Sequence, residues 1–143
     1  MVNNILILLL SFTASLAFSV TFGIHGKDKL LYAGLGGFLV RLVNITLSSF
    51  LQNHFGITLV SALVASLYGE FMSRKLQVPT AYFIYPSIIP LIPGAMFHYM
   101  IVSIVTGNIR LAEIQAFDCG LSLVALSLGT IIGTTTLQSI RRK

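Results

Sequence analysis

The chain is poor in charge, and poorest in acid. Of 143 residues nine are Lys or Arg and four are Asp or Glu, so charged residues make up 9% against an apolar share of 55%. Ordinary soluble domains carry about a quarter charged residues. That shortfall, with a mean hydropathy of +0.90, marks an integral membrane protein. The single cysteine, Cys119, excludes an internal disulfide and a cysteine metal cluster. Tryptophan is absent, so any aromatic belt at the membrane interface falls to Tyr and Phe. There is no phosphate-binding glycine loop, no H-E-x-x-H, no C-x-x-C and no G-x-S-x-G. No acidic pair shares a helical face. No enzyme activity, cofactor or metal site is therefore expected. A net charge of +5 on a soluble protein would suggest nucleic acid. Here the basic residues stand at the ends of apolar runs, where membrane topology accounts for them and a lipid bilayer is the expected partner.

What is present is five apolar runs. At about 20 residues per spanning helix, they predict an all-α, polytopic single domain over residues 1–143. The spans fall at about 2–24, 30–51, 57–73, 82–106 and 119–140. A cleaved signal peptide competes for the first run, but its leading segment holds no Lys or Arg and the run exceeds an ordinary h-region, so a retained span is expected. Residues 109–118 are polar, with Leu111, Ile114 and Phe117 at three-residue steps. A short interfacial helix or an ordinary loop fits them equally. Small residues recur every fourth position: Ser11, Ser15, Ser19 and Gly23 in the first run, Ser61, Ala65 and Gly69 in the third, Ala125, Gly129 and Gly133 in the last. Such stripes let helices approach closely. Their number predicts a partner, either a larger membrane subunit or a second copy.

All four prolines, Pro79, Pro86, Pro90 and Pro93, stand in the fourth run and its approach. Proline removes a backbone donor and clashes with the preceding turn. Inside lipid, broken backbone survives only against protein or a water-filled cavity. The spacing Pro86, Pro90, Pro93-Gly94 predicts a helix interrupted near membrane depth, with a new helix starting at Pro93. Its positive end would face the break, as in discontinuous transporter helices. A kinked packing helix without a ligand is the alternative.

Three further residues are candidates. Arg41 lies about 16 Å into its span, on one face with Gly34, Gly37, Asn44 and Ser48. A central arginine costs about 2.5–3.5 kcal/mol or more to insert, so Arg41 faces protein or water, as half of a buried ion pair or as a substrate ligand. Glu70 is the only acidic residue inside a span. It is either an i,i+4 partner of Arg74 or a proton-carrying carboxylate near the cytoplasmic mouth. His98, one turn beyond the break, is either a packing residue or a group that titrates near neutral pH.

Charge sets the orientation. With five spans, the first loop, the third loop and the C-terminus share a side. They hold Lys27, Lys29, Arg74, Lys75, Arg141, Arg142 and Lys143, seven of the nine basic residues. The positive-inside rule makes that side cytoplasmic, with the N-terminus outside.

The order Arg74-Lys75, Val78-Pro79, Ile89-Pro90-Leu91-Ile92-Pro93-Gly94 and Tyr99 resembles the threonine/serine exporter family, and in particular the short membrane subunit of its two-gene members. The likeness covers about residues 30–137 and includes a glycine-rich run leading to Arg41. It implies a subunit of a secondary exporter in the cell membrane, moving small hydrophilic metabolites outward and coupled to protons. Threonine and serine are the substrates it implies, a succinate-type dicarboxylate the nearest variant, and a larger membrane subunit the partner. A non-transporting scaffold for that subunit is the competing reading. The substrate-binding set expected is Arg41, Asn44, Pro90, Pro93, Gly94, His98 and Tyr99, with Glu70 for proton coupling.

Overall fold

In a computed structural model the protein is all-helical, with backbone described for residues 2–141 and side-chain surroundings for 3–136. Arg142 and Lys143, two of the basic residues counted for the cytoplasmic side, lie outside the described residues. The helices are α1 (Val2–Thr21), α2 (Lys27–Phe50), α3 (His54–Leu76), α4 (Ala81–Ile88), α5 (Gly94–Val105) and α6 (Ile109–Arg141), with a 3-10 turn at Ile89–Leu91. Four of them are long and apolar enough to cross a membrane, and the pair α4–α5 makes a fifth span if counted as one. That pair is bent by 45° at its break.

Turn chemistry sets the ends. Gly23 and Gly26, at φ +69° and +111°, carry the chain from α1 into α2. Asn53 caps α3 by accepting the Phe55 N–H at 3.1 Å. Gly107, at φ +77°, closes the α5–α6 turn, and the Asn108 side chain accepts from the Leu111 N–H at 3.4 Å.

Helices α2, α3 and α4 form the centre, with α1 against α2 and α4, and α6 against α3. Beyond the break, α5 leaves the centre and packs on α6. Val40, Ala62, Ala65 and Leu91 form a buried cluster with Ile88 and Leu126 against it, so the break itself is seated in the core.

The stripes of small residues are spent inside this bundle. Ser11, Ser15 and Ser19 are buried, and a Cβ on Gly37 of α2 would fall on the Ser15 side chain. Ala62 and Ser66 of α3 lie against Gly129 and Gly133 of α6 in the same way. The α1 and α6 stripes therefore join α1 to α2 and α6 to α3. In the α3 stripe Ser61 and Ala65 are buried and Gly69 lies against Ile84 of α4, so the stripes carry no separate case for a partner. Gly23 is a turn residue and takes no part in the α1 stripe.

Residues 109–118 are neither a separate interfacial helix nor a loop. They are the first turns of α6, which at about 1.5 Å per residue runs well beyond a bilayer core. Ala112 and Cys119 are buried there, and Ser103 of α5 donates to Gln115 Oε1 at 2.9 Å, so the stretch is held as helix by α5.

Candidate functional site

The chemistry begins with carbonyls that proline leaves without donors. In a helix each C=O accepts from the N–H four residues on, and proline has none to give. Pro90 thus deprives Pro86, and Pro93 deprives Ile89. The Pro86 carbonyl is taken by Ser15 Oγ of α1, which donates at 2.8 Å in a buried contact. The Ile89 carbonyl accepts the Ile92 N–H at 3.2 Å. The Pro90 carbonyl would meet the Gly94 N–H in an unbroken helix, but that group turns to Ile92 O at 2.8 Å. Arg41 Nη1 donates to the Pro90 carbonyl instead, at 3.3 Å. Each repair comes from a different place: α1, the turn itself, and α2.

Arg41 is half-buried, and its Nε is enclosed without a hydrogen-bond partner. Among the described residues the ion pair formed is that of Arg74 with Glu70, and the Arg41 charge meets the Pro90 carbonyl dipole instead of a carboxylate. The buried ion pair considered for it is therefore not formed.

A cavity of about 280 Å³ opens at this point, lined by Arg41, Asn44, Pro90, Pro93 and Gly94 together with Ala95 and Met96 of the first turn of α5. The first N–H groups of a helix lack intrahelical acceptors and carry the positive end of its dipole. No side chain caps α5. Asn44 donates through Nδ2 to Ser61 Oγ at 3.4 Å, which leaves its carbonyl oxygen available. Five of the seven residues expected for substrate binding thus meet at one cavity. His98 and Tyr99 do not line it. They are exposed on α5, their rings 5.8 Å apart. Ser48, placed on the Arg41 face by spacing, is exposed and donates to Ile45 O at 2.7 Å.

Three polar lining residues escaped the sequence reading: His54, Thr58 and Ser122. Thr58 and Ser122 are buried, at 9% and 5% exposure. Extending the α3 stripe back by one step of three from Ser61 reaches Thr58, and the α6 seam extended back from Ala125 reaches Ser122. His54 carried no such signal, because it stands at the start of α3 in what reads as a connecting turn.

Glu70 stands elsewhere, about 13 Å along α3 from Ser61. It is 5% exposed. Its Oε1 pairs with Arg74 at 3.3 Å, and its Oε2 accepts from Thr80 Oγ1 at 3.1 Å. Thr80 Oγ1 also lies 3.2 Å from Ser73 Oγ, which donates to the Val78 carbonyl. These residues line a second cavity, of about 540 Å³, with Gln77 and Pro79. The i,i+4 pair with Arg74 is thus formed, and the carboxylate also ties the end of α3 to the start of α4.

Membrane-length helices around an interrupted one, with a polar cavity and an arginine at the interruption, are an arrangement found in multi-pass membrane transporters. The family model described as Threonine/Serine exporter, ThrE, matches residues 7–136, and the chain belongs to that family. No curated protein and no solved structure matches it.

Proposed function

We propose that the chain is the short membrane subunit of a secondary exporter that moves small hydrophilic metabolites of the threonine/serine type out of the cell, driven by protons. The observation that carries this is Arg41. It is a permanent charge within a membrane-length helix, tied to the broken backbone at Pro90 and unmatched by any carboxylate in the cavity it lines. Charged side chains at such depth mark substrate pathways. The guanidinium and the N-terminal turn of α5 suit one ligand group, a carboxylate. Asn44, Thr58, Ser122 and His54 supply neutral polar contacts, and Pro93 and Gly94 keep the turn open. Glu70 is the proton carrier, positioned to loosen the α3–α4 junction when it takes a proton.

The chain sits in the cytoplasmic membrane with its N-terminus outside and its C-terminus inside, a reading supported by the grouping of basic residues. A larger membrane subunit of the same family completes the transporter, in keeping with the resemblance to two-gene members. The test is efflux of labelled threonine, serine and succinate from vesicles holding this chain with and without that subunit. Efflux by the pair that disappears when this chain is omitted supports the proposal. Undiminished efflux by the larger subunit alone would reduce this chain to a scaffold.

A further inference from the structure

The cavity at the break holds positive charge and no negative charge. Arg41 lines it with a buried, unpartnered Nε, and the first turn of α5 adds a positive dipole end. The chain's acidic residues are Asp28, Glu70, Glu113 and Asp118, and none of them lines it. The remaining polar side chains that line it, Asn44, Thr58, Ser122 and His54, bring no carboxylate. Among them Thr58 has a second distinction. Helix hydroxyls in this chain commonly donate back to a carbonyl three or four residues earlier, as Ser61 and Ser122 do at 2.7 and 2.9 Å. No hydrogen bond engages the Thr58 hydroxyl among the described residues.

Charge then discriminates between ligands. A carboxylate that brings one negative charge neutralises Arg41, and the filled site is neutral. A zwitterionic amino acid neutralises Arg41 and introduces an ammonium beside a positive helix end, so the filled site keeps an unpaired buried charge, which is unfavourable. A hydroxyl at Thr58 without a protein partner, by contrast, offers one more hydrogen bond to a ligand that carries its own hydroxyl, and that bond is what separates such a ligand from its deoxy counterpart. The volume of about 280 Å³ stands at the small end of ligand pockets, suiting an acid of a few carbons.

We infer that the cavity of this chain, read as the substrate site above, selects short hydroxycarboxylates of net charge −1 over zwitterionic amino acids, with Arg41 reading the carboxylate and Thr58 the hydroxyl. An amino acid is accommodated there only when another subunit contributes the acidic group that pairs with its ammonium.

The test is direct binding to the purified full chain in lipid nanodiscs at neutral pH. Matched pairs differ at one group: 3-hydroxybutyrate against threonine, glycerate against serine, and 3-hydroxybutyrate against butyrate. Serinol, which has no carboxylate, completes the set. The hydroxy acids are expected to bind about tenfold or more tighter than the amino acids, and serinol not to bind. Arg41→Gln removes binding of every acid. Thr58→Val brings 3-hydroxybutyrate down to the level of butyrate while leaving butyrate unchanged. Threonine and serine binding as tightly as their hydroxy-acid partners, with Arg41→Gln still abolishing both, overturns the charge rule and leaves the site standing. An undiminished preference in Thr58→Val overturns the hydroxyl assignment. Acids that fail to bind, or that bind Arg41→Gln equally well, overturn the site and the inference together.

Discussion

Arg41 and Pro90 are joined across 49 residues: the guanidinium Nη1 donates at 3.3 Å to a carbonyl that would be bonded within the helix had the helix continued. The arginine is therefore part of how the break is held, and the break is part of how the arginine is tolerated. Replacing Arg41 with Ala removes both the carbonyl's donor and the charge. Export is expected to be lost with the protein still inserted and abundant. Arg41→Lys should rescue poorly, since an ammonium lacks the planar fork that holds a carboxylate by two bonds. Efflux compared at equal membrane levels is the measurement. Wild-type efflux from Arg41→Ala would make the arginine structural.

The same backbone logic gives a stability prediction at the next carbonyl. Ser15→Ala leaves the buried Pro86 carbonyl without its donor, at a cost of about 1–3 kcal/mol. Pro90→Ala supplies an N–H at the position that normally serves Pro86. In the Pro90→Ala background the Ser15 substitution should therefore cost less, so the two changes are coupled. Thermal unfolding of the four forms in one detergent reads this. Strictly additive shifts would mean that Ser15 is not standing in for the missing proline N–H.

The break was legible in the sequence because proline acts locally: Pro86, Pro90 and Pro93 each delete one identifiable bond. The cluster of Arg41, Asn44, Pro90, Pro93 and Gly94 was legible for a related reason, since charge in lipid and broken backbone in lipid both need protein around them. His98 and Tyr99 were placed with them by proximity along the chain. The 45° bend carries α5 out onto α6, and a turn past the break both side chains stand exposed. Sequence spacing holds no information about that swing, which depends on Ser103 and Gln115 meeting across two helices. The stripes of small residues announced close helix contacts without saying with whom. Helices of one chain satisfied them.

Those seams make a paired prediction on α6. A Cβ at Gly133 would overlap the Ser66 side chain, whereas at Gly120 nothing lies within 4 Å. Gly133→Ala should destabilise by about 1–3 kcal/mol, as overpacking does. Gly120→Ala should be neutral or gain up to about 1 kcal/mol from helix propensity. Equal effects on the unfolding midpoint would show that α6 does not lie against α3 along this face.

Orientation is read by fusion. A reporter active only in the cytoplasm should work when attached after Lys143 and fail within residues 108–118. The opposite pattern would reverse the chain in the membrane and place Glu70 at the outer mouth.

Glu70 decides between two accounts of the second cavity. Its carboxylate meets Arg74 on one oxygen and Thr80 on the other, and it is 5% exposed at the junction of α3 and α4. If it serves only to pair with Arg74, removing either partner should have the same consequence. Glu70→Gln and Arg74→Gln would then depress export alike, through the junction. If the carboxylate carries the proton, the variants part company. The amide of Gln can still accept from Thr80 through its carbonyl oxygen and is close in shape, so the junction persists while protonation is lost. Glu70→Gln should then exchange labelled for unlabelled substrate across the vesicle membrane at near wild-type rate, yet fail to accumulate substrate when a pH gradient is imposed. Arg74→Gln should keep gradient-driven accumulation. Gradient-driven accumulation that survives in Glu70→Gln would remove this residue from proton coupling and leave it as the tie between two helices.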